Sequence, residues 1–106
     1  MPFVDLPAVG RRTVLEGFHA RFVHSQNMTF SYWDVEAGHS LPVHSHPHEQ
    51  VTNVIRGTFE MTVDGETKTI EAGTVVVIAP HAKHSGRSIT DCYIIDVFYP
   101  VREDYK

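Results

Sequence analysis

The sequence is poor in the features that would direct a protein out of the cytoplasm or into a membrane. It has one cysteine, Cys92, so no disulfide can form within the chain. Near the N-terminus, two prolines and an aspartate interrupt the apolar stretch that a signal peptide requires. The longest apolar run, Val75 to Pro80, is far too short to span a bilayer. We therefore expect a cytoplasmic protein that does not bind membranes.

Positive charge is scarce as well. The 9 lysines and arginines are outnumbered by 13 aspartates and glutamates, which leaves a net charge of −4. Without a basic surface to attract phosphates, we do not expect nucleic acid as a partner, and we expect the ligand to be a small molecule. The chain has 106 residues, 42% of them hydrophobic, which suits one domain with one core. We assign residues 1–106 to that single domain.

Segments long enough for an ordinary helix are missing between Gly38 and Gly86, because turn residues recur there at short intervals. The segments between the turns are rich in β-branched and aromatic residues, which is typical of strands. Short strands at regular spacing predict an all-β barrel or sandwich.

Several of these strands can be placed individually. Residues 58–63 alternate apolar and polar side chains, and the extended pattern resumes after Asp64-Gly65, which predicts a β-hairpin. Val75–Ile78 is apolar on both faces, as a central strand would be. Further strands are expected over 28–36 and 92–99.

This placement puts the core of the domain at about residues 28–99 and leaves residues 1–27 as an N-terminal arm. An arm packed on a second subunit, or barrel strands packed between two subunits, would form a homodimer. We expect a homodimer on that basis.

Histidine is the unusual component, with 8 residues, several of them crowded into 44–48. A strand places residues i and i+2 on one face, so His44 and His46 would share a face, and a strand that continued would add Gln50 and turn Glu49 away. His84 lies just past the 75–78 strand, where it could return a third imidazole to the same point. Converging imidazoles suit a divalent transition metal. The alternative is a solvated loop tract with no metal.

The spacing around these histidines follows a longer pattern. Gly38 precedes His44-x-His46 by five residues, then Gln50 follows after three and Gly57 after six. A segment of fifteen residues leads to Gly73, then Pro80 follows after six and His84 after three. This order and spacing resemble the two motifs of the cupin superfamily.

The resemblance implies a single conserved cupin β-barrel, also described as a double-stranded β-helix or jelly roll. It also implies a bound metal, held by His44, His46, His84 and the residue at the acidic position of the first motif. That residue is Gln50, although a slip of one residue would bring in Glu49. Three imidazoles and an amide leave the 2+ charge uncompensated, so the site would attract an anionic ligand such as a carboxylate. Nickel, zinc, iron, cobalt and manganese all remain open.

The segment 92–99 contains one acid in an otherwise apolar row. Asp96 shares a strand face with Ile94 and Phe98, and a carboxylate buried there needs a metal, an arginine or a catalytic reason. Arg102 is a candidate partner. The alternatives are a structural Asp96–Arg102 pair, or a strand whose Asp96 face is exposed to solvent.

Together, residues 44–50 and Asp96-x-Phe98-x-Pro100-x-Arg102-x-Asp104-Tyr105 resemble the pectin-degradation KdgF family. These are small cupins that linearise 4,5-unsaturated uronates released by pectin and alginate lyases. The resemblance implies a metal held by His44, His46, Gln50 and His84, and activity that requires Asp96, Phe98 and Arg102. It favours an enzyme that opens and ketonises the ring of a small anionic carbohydrate-derived substrate.

Two other functions remain open. One is a metal-dependent small-molecule dioxygenase, because three histidines on a redox-active ion with open positions also suit dioxygen chemistry. The other is a cupin that binds a sugar or another small molecule without catalysis.

Overall fold

The computed structural model describes residues 2–106, and ten strands account for most of them. In chain order they are β1 (Arg12–Leu15), β2 (Phe18–His24), β3 (Thr29–Val35), β4 (Ser40–His44), β5 (Glu49–Arg56), β6 (Thr58–Val63), β7 (Glu66–Glu71), β8 (Val75–Ile78), β9 (His84–Ser88) and β10 (Cys92–Tyr99). Helical structure in this range is limited to two short 3-10 helices, Leu6–Ala8 and Glu103–Tyr105, and neither could cross a membrane.

The strands form two antiparallel sheets. The large sheet has the order β1-β2-β3-β10-β5-β8, and the small sheet has the order β4-β9-β6-β7. Side chains alternate between buried and more exposed positions along β2, β3 and β10, as expected for strands with one face on a core. This two-sheet jelly-roll architecture confirms the all-β prediction.

The core lies between the two sheets. Phe18 and Phe22 of β2 meet Trp33 of β3 edge to face, with ring centroids 6.3 and 5.9 Å apart. Phe59 and Met61 of β6 are buried from the side of the small sheet. Apolar burial therefore holds the two sheets together, and a cavity remains between them.

The N-terminal boundary differs from the prediction. Residues 12–24 form β1 and β2 and belong to the large sheet, and Phe18, Ala20 and Phe22 are buried. β2 was not predicted because charged or histidine side chains separate its apolar residues, although that alternation is itself typical of a strand. The barrel therefore begins near residue 12 instead of residue 28.

The predicted hairpin is confirmed, because β6 pairs with β7 across Asp64-Gly65. The prediction that residues 75–78 form a central strand is wrong. β8 lies at the edge of the large sheet, and the side chains of Val75 and Val77 are 57% and 67% exposed. Their apolar character does not reflect burial within this chain. The register places Val77 beside Val51 on the outer face of the large sheet. The homodimer stays a prediction.

Candidate metal centre

Three histidines converge at the end of the small sheet. His44 ends β4 and is paired in register with His84, which begins β9, while His46 lies in the connection from β4 to β5. One ring nitrogen from each lies within 4.8 Å of the others. His46 and His84 are buried, and His44 is half-buried. The three predicted imidazoles therefore do meet at one point.

They do not meet for the reason that the sequence suggested. Strand parity would place Gln50 on the face of His44 and His46 only if one strand continued through residues 44–50, but β4 ends at His44 and β5 begins at Glu49. The chain bends between them at Pro47-His48, and Gln50 then enters the site from the large sheet. Glu49 is exposed, whereas Gln50 is buried with its Oε1 2.9 Å from Nε2 of His46. The structure thus places Gln50, and not Glu49, beside the histidines.

All three rings are oriented in the same way. The Nδ1–H of each ring donates a hydrogen bond to a backbone carbonyl two residues away, which leaves Nε2 without a proton in the neutral ring. The acceptors are Pro42 for His44, His48 for His46 and Ala82 for His84, at 2.8, 3.0 and 2.9 Å. Such backbone contacts fix the tautomer of metal-binding histidines.

Burial keeps two of these rings neutral. It lowers the pKa of His46 to about 4, although the Gln50 oxygen, which can accept only from a protonated Nε2, opposes the shift. Burial also lowers the pKa of His84. Metal ligation requires the unprotonated imidazole, so both rings are in the required state at neutral pH.

Two further observations show that a metal ion fits. Nε2 of His84 is buried and has no hydrogen-bond partner among residues 2–106. Nε2 of His46 and Oε1 of Gln50 direct lone pairs at each other across 2.9 Å. Two donor atoms this close together could both bind one ion, for which ligand distances are about 2.0–2.2 Å. Imidazole and amide donors suit several divalent transition metals, and they do not select one.

Asp96 lies on the inward face of β10, only 8% exposed. Its Oδ1 accepts a hydrogen bond from the Thr52 hydroxyl at 2.6 Å. Burial raises the pKa of Asp96 to about 6, and the hydrogen bond from Thr52 opposes that shift. The alternative that this strand face is exposed to solvent is wrong.

Arg102 lies near Asp96 but is paired with another acid. Its Nε and Nη2 donate to the two carboxylate oxygens of Asp104 at 2.9 and 2.7 Å. The alternative of a structural Asp96–Arg102 pair is therefore wrong. Burial disfavours the charged guanidinium, but Asp104 outweighs it and the Arg102 pKa is raised, so the side chain is cationic.

Aromatic rings enclose the same guanidinium. Its central carbon lies 4.7 Å from the centroid of Phe98 and 4.2 Å from that of Tyr105. Asp104 accepts from two of the five N–H groups that a guanidinium carries. The Phe98 ring also meets His46 edge to face, with centroids 5.6 Å apart.

One cavity connects these groups. Its volume is about 70 Å³. Leu15, Phe18 and Trp33 form part of its apolar lining. The polar lining comprises His44, Gln50, Thr52, His84, Asp96 and Arg102.

Several residues of this site were not predicted from the sequence. Thr52 carries a strand-parity signal, because it lies two residues after Gln50 and so shares its face. Asp104 and Tyr105 stand in the C-terminal motif, but only folding reveals that they hold Arg102. The carbonyls that orient the histidines carry no signal in the residue types.

Comparisons with known proteins agree with this architecture. An RmlC-like cupin from Shewanella frigidimarina is 27% identical, with a TM-score of 0.94 over 100% of this chain and 96% of that one. KdgF from Halomonas sp. is 24% identical, with a TM-score of 0.91 over 98% of this chain and 97% of that one, which shows a shared fold. Oxalate decarboxylase from Bacillus subtilis is 17% identical, with a TM-score of 0.82 over 92% of this chain and 29% of that one.

The sequence pattern of the cupin domain matches residues 31–98, from the middle of β3 to the end of β10. That range contains the three histidines, Gln50 and Asp96, and it covers more than half of the chain. The protein belongs to the cupin domain family.

Proposed function

We propose that this cupin opens and ketonises 4,5-unsaturated uronate monosaccharides from pectin or alginate breakdown, giving linear keto acids. The observation that carries the proposal is the setting of Asp96. It is a carboxyl buried in a cavity beside a candidate metal centre and a cationic arginine, and none of the ion pairs among residues 2–106 involves it. The fold shared with KdgF supports the same assignment.

The proposed reaction needs little besides a proton carrier. The substrate carries a carboxylate, a hemiacetal and a ring enol ether. Loss of the proton on O1 forms the aldehyde and breaks the bond between C1 and the ring oxygen, which leaves an enolate across C4 and C5. Protonation at C4 then gives the 5-keto acid. The net change is an isomerisation, so no oxidant, reductant or water is consumed.

Asp96 is suited to carry that proton. Its Oδ1 is engaged by Thr52, which leaves Oδ2 for the substrate. With a pKa raised by burial to about 6, the carboxylate is largely ionised at neutral pH, and its conjugate acid is strong enough to return the proton to carbon. One side chain thereby serves as base and then as acid.

Arg102 and Phe98 bind the rest of the substrate. The N–H groups of Arg102 that do not donate to Asp104 present a fork for the uronate carboxylate, and Asp104 fixes the plane of that fork. Phe98 offers an apolar face between Arg102 and His46 against which the sugar ring packs.

A divalent metal held by His44, His46, His84 and Gln50 would, when bound, polarise the substrate oxygens as a Lewis acid. All four of these side chains are neutral ligands. They leave the ion's full charge available to an anionic substrate.

The test is turnover of freshly generated unsaturated galacturonate or mannuronate monomer by metal-loaded protein. Loss of the absorbance of the conjugated double bond is compared with the uncatalysed rate. We expect acceleration that Asp96→Asn abolishes without loss of bound metal. A matched control is Asp64→Asn in the hairpin turn, where the backbone has φ 48 and asparagine is well tolerated.

Absence of acceleration by protein with a stoichiometric metal would refute the proposal. Retention of turnover in Asp96→Asn would refute the role of Asp96. Oxygen uptake by the iron-loaded protein would then favour the dioxygenase, and substrate binding without product would favour a binding protein.

A further inference from the structure

A chain of buried hydrogen bonds connects the candidate metal centre to Asp96. Gln50 Nε2 donates to the Thr52 hydroxyl at 3.0 Å, and that hydroxyl donates to Asp96 Oδ1 at 2.6 Å. Thr52 is 1% exposed. It follows Gln50 by two residues on β5 and is the register partner of Asp96 on β10, so the fold holds it between them.

The proton of Thr52 determines the direction of this chain. A hydroxyl has a single proton to donate, and an ionised carboxylate can only accept. Once that proton is given to Asp96, the oxygen of Thr52 can only accept from Gln50. The amide of Gln50 must then present its NH₂ group to Thr52 and its oxygen to His46, as the structure shows.

This orientation decides whether Gln50 can be a ligand. An amide oxygen has lone pairs for a cation, whereas the amide nitrogen has its lone pair delocalised and carries two protons. If the amide were reversed, the NH₂ group would face Nε2 of His46, and the fourth donor of the site would be lost.

We infer that Thr52 is a positioning residue that turns the Gln50 amide oxygen towards the metal centre and anchors Asp96 through the same hydroxyl. The role towards Gln50 stands on the geometry of the site alone. The role towards Asp96 rests on the proposed function. The two roles can be measured separately.

The first experiment measures metal affinity and needs no substrate. Chelator-stripped wild type, Thr52→Val and Thr52→Ser are titrated with Ni²⁺ against a chromophoric chelator. Valine keeps the shape of threonine and removes the hydroxyl, so we expect affinity to fall about 10-fold or more, as for other groups that orient metal ligands. Serine keeps the hydroxyl, and we expect it to recover most of the affinity.

A matched control separates orientation from general loosening of the barrel. Ser88 is another fully buried hydroxyl, at the far end of β9, where it donates to the Glu36 carbonyl. Ser88→Ala should lower the thermal midpoint without weakening Ni²⁺ binding. An equal loss of affinity in Ser88→Ala and Thr52→Val would overturn the inference.

A double-mutant cycle tests whether Thr52 acts through Gln50. In a Gln50→Ala background there is no amide to orient, so Thr52→Val should produce no further loss of affinity. The same loss in both backgrounds would overturn the assignment, as would wild-type affinity in Thr52→Val.

The role towards Asp96 is measured as turnover at saturating metal. We expect kcat of Thr52→Val to fall about 10-fold, as for a displaced general acid–base group, with KM within about twofold of wild type. An unchanged kcat in an active enzyme would overturn this role. Failure of the proposed function is distinguishable, because then wild type itself would show no turnover while the affinity measurements would keep their outcome.

Discussion

Asp96→Asn should stabilise the metal-free protein while abolishing the proposed turnover. The substitution keeps the size of the side chain, and the new amide oxygen can still accept the hydrogen bond from Thr52. What it removes is an ionised group at a position that is 8% exposed and has no ion-pair partner within residues 2–106.

The magnitude follows from the pKa of this carboxyl. Burial raises the pKa of Asp96 from 3.8 to about 6, and each unit corresponds to about 1.4 kcal/mol. Because the folded state holds the proton more tightly than the unfolded state, stability decreases as the pH rises from about 4 to about 6. The free energy of unfolding decreases by about 3 kcal/mol in total. Asp96→Asn should not show this decrease, because asparagine does not ionise.

The assay is urea unfolding of chelator-treated wild type and Asp96→Asn at pH 5 and pH 8. We expect the variant to be more stable by about 3 kcal/mol at pH 8 and by about half of that at pH 5. Equal stability at pH 8, or a difference that does not depend on pH, would show that the carboxylate is solvated or paired in the folded protein. Either result would remove the reason to regard Asp96 as held there for chemistry.

Other predictions concern the metal, the substrate carboxylate and the backbone. His84→Ala should lose most of the bound metal after dialysis, because it removes a buried nitrogen that has no other partner among residues 2–106; full metal content by elemental analysis would contradict this. Arg102→Lys keeps the charge but loses the fork held by Asp104, so KM for the uronate should rise about 10-fold or more, and an unchanged KM would count against carboxylate binding. Gly57→Ala should destabilise the fold by more than about 1 kcal/mol in urea unfolding, because φ is 92° and a Cβ would collide with the Asp91 carbonyl. A wild-type midpoint would refute that reasoning.

Local sequence patterns predicted the structure correctly where the residues that form the pattern lie within a few positions of one another or in a motif of fixed spacing. The alternation over 58–63 with Asp64-Gly65 predicted the β6–β7 hairpin, and the apolar content of 92–99 predicted the full extent of β10. The spacing of the histidines predicted that His44, His46 and His84 would meet. In each case the information lies in neighbouring residues or in a motif that keeps its spacing.

The wrong predictions concern which residues pack against a given side chain in the folded protein. Val75–Ile78 reads as a buried strand by composition, but the strand order puts β8 at an edge. Arg102 was a candidate partner for Asp96, but the 3-10 turn after Arg102 brings Asp104 to the guanidinium. An apolar side chain needs apolar neighbours and a buried charge needs a polar partner, but the residue type does not identify which residues supply them.

The sequence by itself determined the class of fold, the strand periodicities and the residue types at the metal centre, because these depend on side chains a few positions apart. The tertiary structure decided that Gln50 and not Glu49 faces the histidines, that Thr52 joins the site to Asp96, and that Asp96 is left without an ion pair within residues 2–106. Those outcomes depend on the register between β5 and β10 and on the bend at Pro47-His48. Long-range pairing and burial set them, and both arise only when distant segments pack together.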